Sequence, residues 1–203
     1  MANEYGKITA KIYDPLLGPF IKGIRKRVAI EIKRLNAKKI IDLCCGTGHQ
    51  LLFLKDKQFE EVVGVDLSDA MLQIAKKYGV SCIYADATKT EFDDNYFDLA
   101  LVSFASHEKP WEMAQAIVKE AHRIVKSGGY FLVVDYYYDD KTGFLGRFAT
   151  WMIEFIVGGE HFRNYRKFIK KGGVDNLCSN MKLLKKIRIL YRSITISVYK
   201  IQK

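Results

Sequence analysis

From Lys39 onward, short apolar runs alternate with longer stretches whose apolar residues recur every three or four positions. This alternation predicts parallel strands joined by right-handed crossovers. Strands are predicted near 39–44, 61–66, 81–85, 97–103 and 129–135, and helices near 48–57, 69–78 and 111–125. Ahead of them, Leu17, Phe20, Ile21, Ile24, Val28, Ile32 and Leu35 recur at helical spacing. They predict an amphipathic helix, interrupted near Gly18-Pro19, that packs on the core or covers a site. After Asp135 the pattern changes, and Phe144 through Val157 reads as an aromatic-rich helix, an insertion expected to form an apolar pocket for substrate. A further helix is expected at about 161–169, then Gly172-Gly173 and two strands, Leu183 to Tyr191 and Ser193 to Ile201. Their short link at Arg192-Ser193 predicts a hairpin.

A chain of 203 residues, 49% of them hydrophobic, suits one domain with a sizeable core and excludes general disorder. The expected division is an N-terminal helical cover over 1–38, a ligand-binding core over 39–136, a helical substrate-side insertion over 137–180 and a C-terminal strand pair over 181–203. No apolar run approaches the length of a membrane span, and the first residues lack the basic and apolar regions of a signal peptide, so a cytoplasmic location is expected. Cys44, Cys45, Cys82 and Cys178 have neither zinc-ligand nor Cys-x-x-Cys spacing. They read as buried free thiols, and no metal is expected.

The net charge of +10 is unevenly spread. Residues 161–203 carry twelve Lys or Arg against Asp175 alone, and residues 1–39 carry ten against three acids. Residues 40–160 carry eleven against nineteen, so basic flanks enclose an acidic core. Such flanks suit an anionic substrate or peripheral contact with a membrane surface. Solvated helix faces, and edge-strand lysines that block aggregation, explain them equally well.

The candidate chemistry lies where the first strand ends. In Asp42-Leu43-Cys44-Cys45-Gly46-Thr47-Gly48, the two glycines let the chain turn sharply and approach a ligand without an intervening side chain. A dinucleotide fits poorly, because Leu51 stands where the third fingerprint glycine belongs. Asp42 would repel phosphate but suits an ammonium or a ribose hydroxyl. Asp66 ends the next strand about twenty residues after Gly46, the spacing of a ribose-binding carboxylate. Asp86 follows the third strand, where the alternative reading is a cap made by its short acceptor. His107 is a candidate general base because an imidazole titrates near neutrality, although a histidine that fixes loop geometry accounts for it as well. Glu108 either orients His107 or caps the helix that begins near Trp111.

These motifs resemble class I S-adenosylmethionine-dependent methyltransferases, and within them the small single-domain group that includes quinone C-methyltransferases. Asp42 to Gly48 looks like the family's first motif, Val65-Asp66 its ribose motif and Tyr84-Ala85-Asp86-Ala87 its adenine motif. Phe97 to Ser103 is similar to its fourth strand, and Arg123 to Gly129 to the turn before its fifth. Cys44 replaces a usual first glycine and Ser127 a usual proline. The resemblance implies a Rossmann-like, doubly wound α/β fold. Its seven-stranded sheet is mostly parallel, with an antiparallel strand near one edge and helices on both faces. It implies S-adenosyl-L-methionine as cofactor and S-adenosyl-L-homocysteine as product. The implied cofactor residues are Tyr13, Asp42, Cys44, Gly46, Gly48, Asp66, Leu67, Met71, Asp86, Ala87 and Ser103. Glu108, Trp151, His161 and Arg163 are expected on the substrate side.

The expected function is methyl transfer to a small-molecule or lipid-like acceptor. The alternatives are an RNA or protein methyltransferase using the basic flanks as an electrostatic footprint, or a non-catalytic cofactor-binding regulator. Against the RNA reading, the chain shows neither an Asn-Pro-Pro-Tyr-like motif nor an appended RNA-binding module, and nucleic acid is not an expected partner.

Overall fold

The computed structural model describes residues 21–55 and 58–203. Tyr13, Leu17, Gly18, Pro19 and Phe20 lie outside the described residues. Helix α1 covers 21–34 and turns Ile24, Val28 and Ile32 inward, as their spacing predicts. Strands β1 (Lys39–Leu43), β2 (Glu61–Asp66), β3 (Cys82–Tyr84), β4 (Phe97–Ser103) and β5 (Val125–Tyr136) alternate with helices α2 (His49–Leu52), α3 (Asp69–Lys77) and α4 (Trp111–Ile124). Helices α5 (Phe144–Val157), α6 (Gly159–Lys170) and α7 (Gly173–Leu177) follow, and β6 (Lys182–Ile189) and β7 (Ile194–Lys200) form the hairpin.

The seven strands make one sheet in the order β3-β2-β1-β4-β5-β7-β6. The pairs among β1 to β5 are parallel, while β7 runs antiparallel to both β5 and β6. Alternation along each strand divides the core into two layers. Ile40, Leu99, Leu101, Leu132 and Val134 pack with α1, whereas Ile41, Ala100, Val102, Phe131 and Val133 pack with α4 and α7 on the other face. The doubly wound α/β expectation is met, with the antiparallel strand one place in from the edge.

Three local departures have physical causes. Helix α2 is only four residues long, because the amides of Phe53 and Leu54 fall back on the Gln50 and Leu51 carbonyls and Leu54 turns under β1. Strand β5 starts earlier than expected because Val125 pairs with Phe97 before a bulge shifts the register to Leu99 and Tyr130. The hairpin link is longer than Arg192-Ser193 alone, since Leu190, Tyr191 and Arg192 all take positive φ. The short helix α7 has no counterpart in the sequence reading.

Gly64 is required for a close approach rather than for its φ. A Cβ there would sit 2.6 Å from Cβ and Sγ of Cys45 and 2.8 Å from Leu51. Gly64→Ala is therefore expected to displace the turn after β1 and to cost about 1–3 kcal/mol of stability. An unchanged urea midpoint would count against this packing.

Candidate active site

The carboxyl ends of β1, β2 and β3 lie side by side, and Asp42, Asp66 and Asp86 stand in or just after them. Asp42 pairs in register with Gly64 on one side and Leu101 on the other, and it is 1% exposed. Its Oδ1 has no hydrogen-bond partner. Burial, reinforced by nearby Cys82 and Asp66 and opposed by Arg25, pushes its pKa well above the ordinary carboxylate value. A buried acceptor left open at a strand end is suited to a donor supplied by a ligand.

The chain then turns through three left-handed residues, Cys44 (φ 66), Gly46 (φ 54) and Gly48 (φ 72). Cys44 thus keeps the backbone conformation that the usual glycine adopts without strain, at a cost of about 1–2 kcal/mol. Gly48 cannot be larger either, because a Cβ would meet Val80 at 2.7 Å. The turn is tied to the second strand through Asp66, whose Oδ2 accepts from the Gly46 amide and Oδ1 from the Ser68 amide, both at 2.8 Å. Ser68 in turn caps α3 by accepting from the Met71 amide. A carboxylate has about four lone-pair sites, so two remain for external donors.

Asp86 is exposed and accepts from the Thr88 amide and hydroxyl through Oδ1. The expected cap is therefore made, but on a turn rather than a helix. Ala87 beside it is buried, while Leu67, directly after β2, is 53% exposed and Met71, in the first turn of α3, is partly exposed.

The four thiols are free. Burial pushes Cys44 and Cys178 up to about 12. The Cys45 thiol lies 3.7 Å from Cys82 and donates to it, which raises Cys45 and lowers Cys82. Alkylation of the native protein at neutral pH should label Cys82 first and spare Cys44 and Cys178 until unfolding. Cys44 and Cys82 are both partly exposed, so it is the raised Cys44 pKa that separates them, and early modification of Cys44 in peptide mass spectra would contradict its protonated state.

Beyond β4 the chain turns at Phe104 (φ 54), held by its amide on the Val134 carbonyl at 2.8 Å. Asp135 at the end of β5 organises the loop that follows. Its Oδ2 accepts from the Ser106 and His107 amides, and its Oδ1 from the Tyr136 amide and His107 Nδ1, the last at 2.6 Å. His107 is fully buried, and its Nε2 faces Glu154 Oε1 at 3.4 Å, an ion-pair contact too long for a well-formed hydrogen bond. Glu154 also accepts from the Tyr136 hydroxyl at 2.9 Å. Burial disfavours a charged ring, but Asp135 and Glu154 outweigh it and hold the His107 pKa well above 6.5. The ring is thus enclosed, with Nδ1 on Asp135 and Nε2 facing Glu154, and this geometry is that of a histidine fixing a loop. His107 clamps the loop after β4 to β5 and α5, as its alternative reading proposed.

Glu108 does not cap α4, whose first turn has no side-chain cap. Its carbonyl accepts from Asn164 at 2.8 Å, and its carboxylate lies 3.9 Å from His161 Nδ1. Burial, partly offset by His107 and His161, raises its pKa. Arg163 lies on the exposed side of α6, away from this pair and from the buried Asn164, Tyr165 and Phe168. Trp151 is 38% exposed and stands in an outward aromatic row on α5 with Phe148 and Phe155. No sequence motif marks Lys109, whose pKa is raised by Cys44 and, against burial, by Glu108, Asp66 and Asp86. Its place directly after Glu108, in the segment that follows the fourth strand, was the available signal.

Residues 40–129 match the family described as a methyltransferase domain. This segment is similar to a methyltransferase domain. The chain is 31% identical over 118 residues to the demethylmenaquinone methyltransferase of Staphylococcus saprophyticus, a match covering 55% of this chain and 50% of that protein. It thus spans about half the length of the curated relatives it matches. Among solved structures, a protein from Pyrococcus horikoshii superposes with a TM-score of 0.68 at 20% identity, covering 90% of this chain and 92% of that one. Geranyl diphosphate C-methyltransferase from Streptomyces coelicolor, complexed with Mg2+, geranyl diphosphate and S-adenosyl-L-homocysteine, superposes at 0.62 and 13% identity, covering 89% and 80%. These likenesses agree with the fold described above. The residues at these strand ends fit S-adenosyl-L-methionine: Asp42 offers an orphaned buried acceptor, Asp66 a fixed carboxylate, and the left-handed turn an open backbone at Gly46. Among the described residues, no helix is long and apolar enough to cross a membrane.

Proposed function

We propose that the protein transfers a methyl group from S-adenosyl-L-methionine to a small-molecule or lipid-like acceptor. The observation that carries this reading is the row of carboxylates at the ends of three adjacent strands, with Asp66 fixed by two backbone amides beside a left-handed turn. In this reading Asp66 receives the two ribose hydroxyls, and Asp42 with the Cys44 to Gly48 turn receives the amino-acid end. The Asp86 carboxylate and the Ala87 amide receive the adenine edge, with Leu67 and Met71 against its faces. Ser103 borders the methyl group, and Tyr13 is proposed as a further contact.

The cofactor supplies a methyl already activated on a sulfonium, so the protein has to align the reactants and exclude water. Orientation of this kind contributes roughly 7–11 kcal/mol when the geometry is near attack. No proton acceptor is assigned to His107. Glu108 and His161 are proposed on the acceptor side, where their pair can hold a hydroxyl or phenol. The names of the curated relatives favour a quinone-type ring over the RNA or protein alternative.

Calorimetry with S-adenosyl-L-methionine and S-adenosyl-L-homocysteine, followed by methyl transfer to a demethylated naphthoquinol, phenols, amines and phospholipids, tests the reading. Micromolar binding and turnover of a quinol or lipid are expected. Absence of binding of either nucleoside would overturn it.

A further inference from the structure

Helix α5 is inverted with respect to water. Its buried row is Gly146, Thr150 and Glu154, whereas Phe144 (77% exposed), Leu145 (59%) and Ile156 (69%) face outward. A helix on a water-facing surface normally places these the other way round. The inward row is explained by its neighbours. A Cβ on Gly146 would meet the Leu190 carbonyl at 2.9 Å, Thr150 Oγ1 bonds the Gly146 carbonyl, and Glu154 faces His107. The outward row forms a continuous strip, with ring centroids 6.0 Å apart for Phe144 and Phe148, 6.4 Å for Phe148 and Trp151, and 5.0 Å for Trp151 and Phe155. An exposed apolar strip of this kind marks a contact surface.

The strip runs directly into exposed cations. Phe162 of α6 packs edge-on against Trp151 and Phe155, and Arg166 lies 5.9 Å over the Phe162 ring. Arg163, Lys167 and Lys170 are exposed on the same helix. Aromatic rings beside Lys and Arg are the composition that settles at a bilayer interface and draws on anionic headgroups. A symmetric pair that brought the two basic α6 helices together would carry a like-charge penalty.

We propose that the outward face of α5, flanked by the basic face of α6, docks the protein on an anionic lipid bilayer. The proposal does not rest on the methyl-transfer reading. The full chain is mixed with vesicles of phosphatidylcholine alone or with phosphatidylglycerol added, and the bound fraction is read by sedimentation. Binding is expected only to the anionic vesicles and should weaken with salt. F144S/L145S/I156S should reduce it at least roughly tenfold, and K167E/K170E by a similar factor. S-adenosyl-L-homocysteine affinity should be unchanged in both variants, which reports folding and separates this surface from the donor site. Equal vesicle binding by wild type and both variants would overturn the proposal. So would an absence of vesicle binding accompanied by a concentration-dependent dimer that the triple serine variant abolishes.

Discussion

Asp66→Ala is expected to lower affinity for S-adenosyl-L-methionine by at least about a hundredfold. Two charge-assisted bonds to the ribose hydroxyls, each worth roughly 1.5–3 kcal/mol, disappear with the carboxylate. The same side chain also holds the Gly46 and Ser68 amides at 2.8 Å, so its loss frees the turn that lines the site. Asp66→Asn separates the two effects. The amide keeps one acceptor for the backbone but sets an N–H donor against the other amide, so an intermediate loss is expected. Calorimetry gives the affinities, and wild-type binding by Asp66→Ala would remove this residue from the ribose site.

His107→Ala is expected to destabilise the fold by about 3–5 kcal/mol, because it leaves the Asp135 and Glu154 carboxylates buried without their cation. For a chain of this size that is a fall in Tm on the order of 10 °C. The pH dependence follows from the directions of the shifts. His107 is raised, so its contribution is fully present below 6.5, erodes above it and is lost once pH passes the folded value. In Glu154, burial is outweighed by His107 and the Tyr136 hydroxyl, and its pKa is lowered. Its contribution is present above 4.5 and is lost as pH falls through the folded value. Between 4.5 and 6.5 both contributions are complete. The alkaline loss of wild-type stability should therefore flatten in His107→Ala. The pH profile of kcat at low temperature should keep its shape, and a vanished ascending limb would assign His107 the base role.

The donor half was legible because its chemistry is local in sequence. Asp42, Asp66 and Asp86 each follow an apolar run, and a parallel sheet brings successive strand ends together whatever the loops do. Gly46 and Gly48 announced their turn, although only the structure shows that Cys44 shares its left-handed backbone. A loop-fixing histidine was legible at His107 but its partners were not, because Asp135 and Glu154 lie 28 and 47 positions away and meet it only when α5 folds back onto β5. Periodicity likewise revealed that α5 has two faces without saying which one the protein keeps. An aromatic face is inward by default, and here close approach at Gly146 and the ion pair at Glu154 set the opposite orientation.

The strand order imposes a sequence of assembly. Strand β6 is made before β7 but, among the described residues, pairs in the sheet only with β7, which lies between it and β5. As the chain emerges, β1 to β5 can zip up in parallel while β6 waits without a template and β5 keeps one row of backbone groups open. Only when Ile194–Lys200 arrives do both edges close together. The hairpin should therefore be the last cooperative unit to gain protection in pulsed hydrogen exchange, and the interval before it docks is when the nascent sheet is most open to pairing with another chain.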